Sequence, residues 1–415
     1  MNGDTMKKEL TWQHTQYACY MGYITQAIIV NLPALLFVTF RTHYDISLTQ
    51  LSLLVVLLFV VQIAVDMISA PVVDKIGYRI YSVGSFLLSC AGLVLMSVLP
   101  MVMEDTYAAL LIAVTVASAG SGMLEVIISP INDSLPRPKD GPGAMSLLHS
   151  FYCWGVVAVV LLSTVYFSLF GTENWMYLPV LWAFIPLVGL LAFCKVPLYP
   201  LVKEGKAMPF LELLRTPMFW ALFLFMICAG ASEQAMSQWA SLFAETGLGV
   251  SKSMGDLMGP CAFAVCMGTA RVLFGVYIKW PVHRPLVVCG ILCIFCYLLV
   301  ILSPWPVLSL IGCALCGFSV GVMWPGTYSL ASSRMPLGGT AMYALLAMGG
   351  DIGCSLGPAA VGAVTDAIMK NPVWMNVLGQ SGDAVMKVGF AFAIIFPLCL
   401  AVGVTMFARR RAKAA

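Results

Sequence analysis

The sequence predicts an all-α integral membrane protein in which twelve transmembrane helices form two pseudo-symmetric six-helix bundles. Three observations predict it. Of the 415 residues, 60% are hydrophobic and only 10% charged, whereas an average soluble domain is about 25% charged. Apolar stretches of the roughly 20 residues that cross about 30 Å of hydrocarbon as a helix recur down the whole length. Strands of a membrane barrel would alternate in polarity instead. Finally, the second half of the chain repeats features of the first in the same order.

The first span, 13–39, carries Gln26 and Asn31. The second, 49–70, runs into the charged turn APVVDKIGYR (70–79), from which the third, 80–100, departs. The fourth, 106–134, contains GSGMLEVIISPINDSLP, an apolar run interrupted by Glu125. Ser118, Gly122, Glu125, Ser129 and Asn132 follow one another at intervals of 4, 3, 4 and 3 residues, which places them on one stripe of a helix. That stripe must face protein or water, because a carboxylate facing lipid is strongly disfavoured. Burial disfavours the charged form of a carboxyl, so Glu125 is the candidate for exchanging a proton as hydration changes. The fifth span, 143–170, places His149 at a similar distance from the intervening turn, a candidate proton relay, with Tyr152 and Trp154 just beyond it. The sixth is 176–195.

The proline-containing, basic interval 196–216 separates the first six spans from the last six. On the seventh span, 217–245, Gln234, Gln238 and Ser241 share a face, with Glu233 at its edge and Trp239 nearby. Amides and carboxylates offer fixed partners to hydroxyl groups, and an aromatic ring stacks on the C–H face of a sugar, so the set suits a neutral polyhydroxylated solute. Glu233 is a rival proton site. The eighth span, 254–279, holds Arg271, and the ninth is 284–303. Trp324 and Tyr328 on the tenth, 305–333, join Gln26, Asn31, Tyr152 and Trp154 as candidates for the cavity wall. The eleventh, 338–369, carries Asp351 in the glycine-rich AMGGDIGCSLGP, a composition for close helix packing around a further candidate acid. The twelfth, 384–408, precedes a basic tail.

Charge sets orientation. With the N-terminus in the cytoplasm, 17 of the 22 Lys and Arg fall on the cytoplasmic side, so both termini are expected there, in a cell (inner or plasma) membrane. The N-terminal dozen residues are polar and lead straight into a full-length helix, so no cleavable signal peptide is expected. The net charge of +3 implies no nucleic-acid partner. The 14 cysteines lie almost wholly within spans and read as packing residues. GFSVG (317–321) matches a nucleophile-elbow spacing but lies inside a span, where no strand-to-helix turn can form. With no zinc-protease motif and no phosphate loop, the sequence points to no enzyme, no catalytic residue, no cofactor and no metal.

Several stretches recur roughly 195–208 residues later: Gln26-Ala27 as Gln234-Ala235, Met67–Arg79 as Val272–Arg284, Pro130 and Ser134 as Pro325 and Ser329, Ala144-Met145 as Ala341-Met342. Together they predict a duplicated six-helix unit, with bundles at 1–195 and 217–415 joined by a cytoplasmic linker at 196–216. Two such repeats rocking about a site near the midplane make a carrier, expected to work as a monomer in the bilayer. Asp66 and Arg271 occupy corresponding places before the two basic turns and read as charge partners of the gate.

APVVDKIGYR resembles the signature of the major facilitator superfamily through Asp74, Lys75, Gly77 and Arg79, with Ala70 and Tyr78 departing from it. The resemblance implies the twelve-helix major facilitator fold, with Asp74 helping to latch the two halves. Within that superfamily, Glu125 and Pro130 resemble the fourth helix of the fucose/proton symporter branch, with Gly122 one position off and Ser129 in place of asparagine. GVMWPGTYSLA (321–331) and SLLHSFYCWG (146–155) are similar to that branch's tenth and fifth helices. The resemblance implies alternating-access, proton-coupled uptake of a sugar or sugar-like solute. Where the branch has a first-helix acid, this sequence has Asn31. Drug exporters carry a fourth-helix arginine and a Gly-Pro-rich fifth helix that are missing here, which favours uptake over export of a drug or metabolite. Sodium stays open as the coupling ion.

Overall fold

The computed structural model describes residues 10–137, 143–202, 207–248, 257–377 and 382–412. Eleven of its helices are long and apolar enough to cross a membrane, and a shorter apolar helix, Tyr177–Phe193, completes a set of twelve. They are α1 (Trp12–Leu35), α2 (Leu48–Ile76), α3 (Tyr78–Val102), α4 (Thr106–Asp133), α5 (Gly143–Phe170) and α6 (Tyr177–Phe193), followed by α7 (Pro217–Leu248), α8 (Leu257–Val276) and α9 (His283–Leu302). Next come α10 in two pieces (Pro306–Val320 and Met323–Arg334), α11 (Gly339–Met369) and α12, also in two pieces (Gly382–Ala393 and Ile395–Ala412).

Local chemistry explains most of the boundaries. Ser47 and Gln50 cap α2 reciprocally: Gln50 N donates to Ser47 Oγ at 3.2 Å and Ser47 N donates to Gln50 Oε1 at 3.0 Å. Helix α2 runs six residues past the boundary of 70 expected from hydropathy, and Gly77 alone, at φ +87°, turns the chain into α3. One residue free to adopt positive φ suffices for that turn. The first span, expected to be continuous over 13–39, is interrupted at Leu36 just past Pro33 and resumes as Phe37–Tyr44. Pro325, lacking an N–H, leaves the Gly321 carbonyl without its helical partner where α10 breaks.

The helix neighbours repeat with a period of six. In the first half, α1 packs on α4, α5 and α6, α2 on α4, and α3 on α4 and α6. In the second, α7 packs on α10, α11 and α12, α8 on α10, and α9 on α10 and α12. The two bundles meet along two seams related by the same shift, α2 against α11 and α5 against α8. Small residues let the backbones close together. Gly143 abuts Gly275 across the α5–α8 seam, and Gly353 and Gly357 abut Ile227 and Ala231 between α7 and α11.

Candidate functional site at the bundle interface

Both bundles contribute to one central cavity. The first supplies Tyr23, Gln26 and Val30 of α1, Phe59 and Gln62 of α2, Glu125 of α4, and His149 and Tyr152 of α5. The second supplies Glu233 and Gln234 of α7, Arg271 of α8, Trp324 of α10, and Asp351 and Cys354 of α11. Its volume is about 70 Å³. A water needs roughly 10–15 Å³ by this measure, so the cavity holds about five waters and no sugar-sized solute.

Glu125 is 6% exposed, and the Gln26 side-chain amide donates to its Oε2 at 2.6 Å. One turn further along α4, Ser129 Oγ lies 2.8 Å from the Tyr23 hydroxyl, which lies 2.9 Å from His149 Nε2. Glu125 and His149 thus share the cavity through different α1 side chains, without a direct bond between them among the described residues. Gly122, on the same stripe as Glu125, meets the α2 backbone at Gln62. Gln62 Nε2 donates to Ser121 Oγ at 3.2 Å.

Arg271 crosses the seam. Its Nη1 donates to the His149 carbonyl at 3.0 Å and approaches Cys153 Sγ at 3.1 Å, while Nη2 stands 3.6 Å from Glu233 Oε2. Its Nε donates at 2.8 Å to the Gly321 carbonyl, the one that Pro325 leaves free. The α10 break is therefore also an acceptor for a buried cation. Sequence position suggested Asp66 and Arg271 as gate charge partners, but the structure pairs Arg271 with Glu233. Asp66, fully buried on α2, has no hydrogen-bond partner for either oxygen among the described residues.

The structure brings the four candidate acid and histidine positions, Glu125, His149, Glu233 and Asp351, together with Gln26, Tyr152, Gln234 and Trp324. Gly350 leaves room for the Trp324 ring, which occupies the space where a Cβ would stand. Tyr328 lies buried beside the cavity, stacked on Tyr343 at 5.1 Å and 5.7 Å from the His149 ring. Asn31 donates to the Ala27 carbonyl of its own helix at 2.8 Å. Trp154 and Gln238 are exposed and form no part of the wall. The side chains of Trp239 and Ser241 lie outside the described residues. Tyr23, Gln62, Phe59, Val30 and Cys354 line the cavity without having been expected. Tyr23 was legible, since it falls three residues before Gln26 on the same helical face.

Below the cavity, bonds between the bundles gather at the end bearing the basic turns. Asp133 Oδ2 accepts from Ser332 at 2.6 Å and from Tyr343 at 2.8 Å. The Tyr78 and Thr340 hydroxyls are 2.7 Å apart, and Ser146 donates to the Arg271 carbonyl at 3.0 Å. In the signature turn, Arg79 donates to the Phe193 and Val196 carbonyls at 2.8 and 2.9 Å. Asp74 stands beside Gly339, where α11 begins. Lys75 is exposed.

The sequence model described as Major Facilitator Superfamily matches residues 19–358, well over half of the chain. The chain belongs to the Major Facilitator Superfamily. Like other members it is a multi-pass membrane transporter, not an enzyme. No curated protein sequence matches it. Among solved structures, this major facilitator is similar to the E. coli fucose:proton symporter at 16% identity and a TM-score of 0.71, covering 93% of this chain and 98% of that one. It is similar to the proton:xylose symporter bound to 6-bromo-6-deoxy-D-glucose at 14% identity and 0.69, covering 94% and 96%. It is also similar to the human organic anion transporter at 13% identity and 0.71, covering 93% and 99%. At such identities the likeness establishes the shared fold.

Proposed function

We propose that this major facilitator is a proton-coupled symporter that takes up a sugar or similar neutral polar solute by alternating access, with coupling at Glu125. The observation that carries the reading is the Glu125 carboxyl, buried in the cavity between the bundles and held by an amide rather than by a cation. An acid so placed is stable when neutral, and it loses its proton when the cavity fills with water. Gln26, Gln234, Tyr152 and Trp324 around it offer amide and hydroxyl partners and aromatic faces to a polyol. The likeness to fucose:proton and xylose:proton symporters supports the same reading.

The chain divides into bundles at 1–195 and 217–415, with 196–216 as a cytoplasmic linker, and its basic turns and both termini face the cytoplasm. On that orientation the structure is closed to the cytoplasm, because the bonds between Asp133 and Ser332 and Tyr343, and between Tyr78 and Thr340, hold that end together. The central cavity is too small for a hexose in this state, so solute enters only as the bundles part. The protein works as a monomer, one cavity per chain.

One observation favours a second reading. Arg271 places a guanidinium in the cavity wall with Nη2 held only at 3.6 Å by Glu233, and neutralising Glu233 would leave that donor for a carboxylate-bearing solute. The likeness to the organic anion transporter is consistent with this.

Uptake into proteoliposomes tests both. Monosaccharides, polyols and sugar acids are offered under an imposed proton gradient, a sodium gradient or neither, to wild type and Glu125→Gln. Proton-driven accumulation that Glu125→Gln abolishes while solute exchange survives is the expected result. Normal accumulation by the variant would remove Glu125 from coupling, and sodium-driven accumulation would replace the ion. Transport of sugar acids alone would move the substrate to the anionic class.

A further inference from the structure

The two seams between the bundles differ in one respect. In the α5–α8 seam, Arg271 engages the His149 and Gly321 carbonyls, Cys153 and Glu233. In the α2–α11 seam, its counterpart under the duplication is Asp66, since Met67–Arg79 matches Val272–Arg284. Asp66 has zero exposure, and neither of its oxygens has a hydrogen-bond partner among the described residues. One turn earlier on the same face of α2, the Oε1 of Gln62 is likewise without a partner, and across the seam so is the Oδ2 of Asp351. Among the described residues, the titratable groups that interact with Asp66 are Asp351 from α11, Glu125 from α4, Tyr81 from α3 and Tyr328 from α10, none of them a cation. Tyr23 of α1 acts on Tyr328 instead, and its hydroxyl lies between Ser129 and His149. The Tyr81 hydroxyl is itself bonded to Ser69.

A carboxylate in this place would have neither a cation nor a donor to offset its lost hydration, and structures do not retain that arrangement. We infer that Asp66 is a proton-binding site in its own right, loaded in the state seen here and separate from Glu125. The seam supplies the release step. Asp66 lies ten residues before the end of α2, toward the bonds that close the basic-turn end. When α2 and α11 part there, water reaches the carboxyl, the O–H bond breaks, the proton passes to that water and the carboxylate remains solvated. The chain would then carry two protonation sites, Glu125 at the cavity and Asp66 in the seam. The placement of the second in a transport cycle rests on the symport reading, but its occupancy by a proton does not.

Infrared titration of the full chain in lipid vesicles, following the carbonyl stretch of protonated carboxyls, needs no substrate. Four proteins are compared, namely wild type, Asp66→Asn, Asp66→Glu and Glu125→Gln, with aspartate carboxyls carbon-13 labelled and with sodium varied at fixed pH. The expected result is a protonated, isotope-shifted band that Asp66→Asn removes and Glu125→Gln keeps. Asp66→Glu, which preserves the acid should Asn disturb folding, keeps a band that no longer shifts with the label. The wild-type band disappears as pH rises and is indifferent to sodium. A wild-type band set unchanged in Asp66→Asn, or a labelled band unchanged in Asp66→Glu, overturns the inference. Loss of the band on adding sodium at constant pH also overturns it, making the seam a sodium site. If uptake proves independent of protons while the Asp66 band titrates as described, the symport reading fails and the Asp66 site stands.

Discussion

Asp133 is the sharpest place to perturb the closed end. Its Oδ2 accepts two hydrogen bonds from the other bundle, Ser332 Oγ at 2.6 Å and Tyr343 Oη at 2.8 Å. Both join α4 to helices of the second half, so both must break when the bundles separate at that end. A hydrogen bond to a charged group contributes about 1.5–3 kcal/mol net, and Asp133 is only partly buried, so the lower figure applies. Tyr343→Phe or Ser332→Ala should therefore move the equilibrium toward the open form by about 1.5 kcal/mol, roughly tenfold. Asp133→Ala, which loses both bonds, should move it by about 3 kcal/mol, on the order of a hundredfold or slightly more. Spin labels at the exposed Ile80 and Tyr277, one on each bundle, report the separation by pulsed electron resonance. Trp182→Phe is the control, since its indole N–H bonds Ser163 at 3.1 Å within one bundle. Distance distributions that shift no more in Tyr343→Phe, Ser332→Ala and Asp133→Ala than in Trp182→Phe would refute the reasoning. A double variant whose shift falls short of the sum would show the two bonds to be coupled.

Four other outcomes follow from the same geometry. On the symport reading, with coupling through a protonated Glu125, wild-type accumulation should rise as the outside pH falls, whereas exchange by Glu125→Gln should be flat with pH; parallel pH profiles for accumulation in the two proteins would contradict this. Arg271→Met leaves Glu233 without its cation and the Gly321 and His149 carbonyls without a donor, at a cost of about 3–5 kcal/mol. Adding Glu233→Gln should restore part of the thermal stability of the vesicle-embedded protein, and a double variant less stable than the single would refute the pairing. Gly350→Ala forces the Trp324 ring out of its place, so about 1–3 kcal/mol of overpacking should appear as weaker solute binding together with altered tryptophan fluorescence. Gly77→Ala meets no neighbour within 4 Å, so its cost is backbone strain alone at φ +87°, about 1–3 kcal/mol in stability.

What the sequence made legible is what periodicity and polarity record. The apolar runs marked the spans, because hydrocarbon thickness sets their length. The 4-3-4-3 stripe marked Glu125, and Ser129 and Asn132 with it are buried. Convergence of Glu125, His149, Glu233 and Asp351 from four helices was less accessible, since no local pattern gives the rotation of one helix against another. The partner of Arg271 was hidden for the same reason. Glu233 lies on α7, 38 residues earlier in the sequence, and the carbonyl acceptors arise from a proline-induced break that hydropathy does not register. Trp154 and Gln238 show the converse: an aromatic or amide on a membrane helix is not tied to a cavity by its chemistry, and these two are exposed and stay out of the cavity wall.

The duplication gives the two buried ionisable side chains corresponding places and opposite tasks. Seams α2–α11 and α5–α8 are the same contact in two copies, and Asp66 and Arg271 stand at the same place in each. A guanidinium does not release its proton in a protein, so the α5–α8 seam keeps a fixed charge, and its stability depends on acceptors that travel with α5, α7 and α10. A carboxyl does titrate, so the α2–α11 seam changes its charge when water reaches it. With the first, parting the bundles exposes bonds that must be replaced. With the second, it permits an ionisation that the closed state forbids. A symmetric frame carrying one permanent and one removable charge is biased by proton supply through only one of its seams, and so can convert a proton gradient into a preferred direction of movement. If that asymmetry is the basis of coupling, Asp66→Asn should leave solute exchange intact and weaken accumulation even though Glu125 is untouched. Accumulation equal to wild type in Asp66→Asn would assign the whole of the coupling to the central cavity.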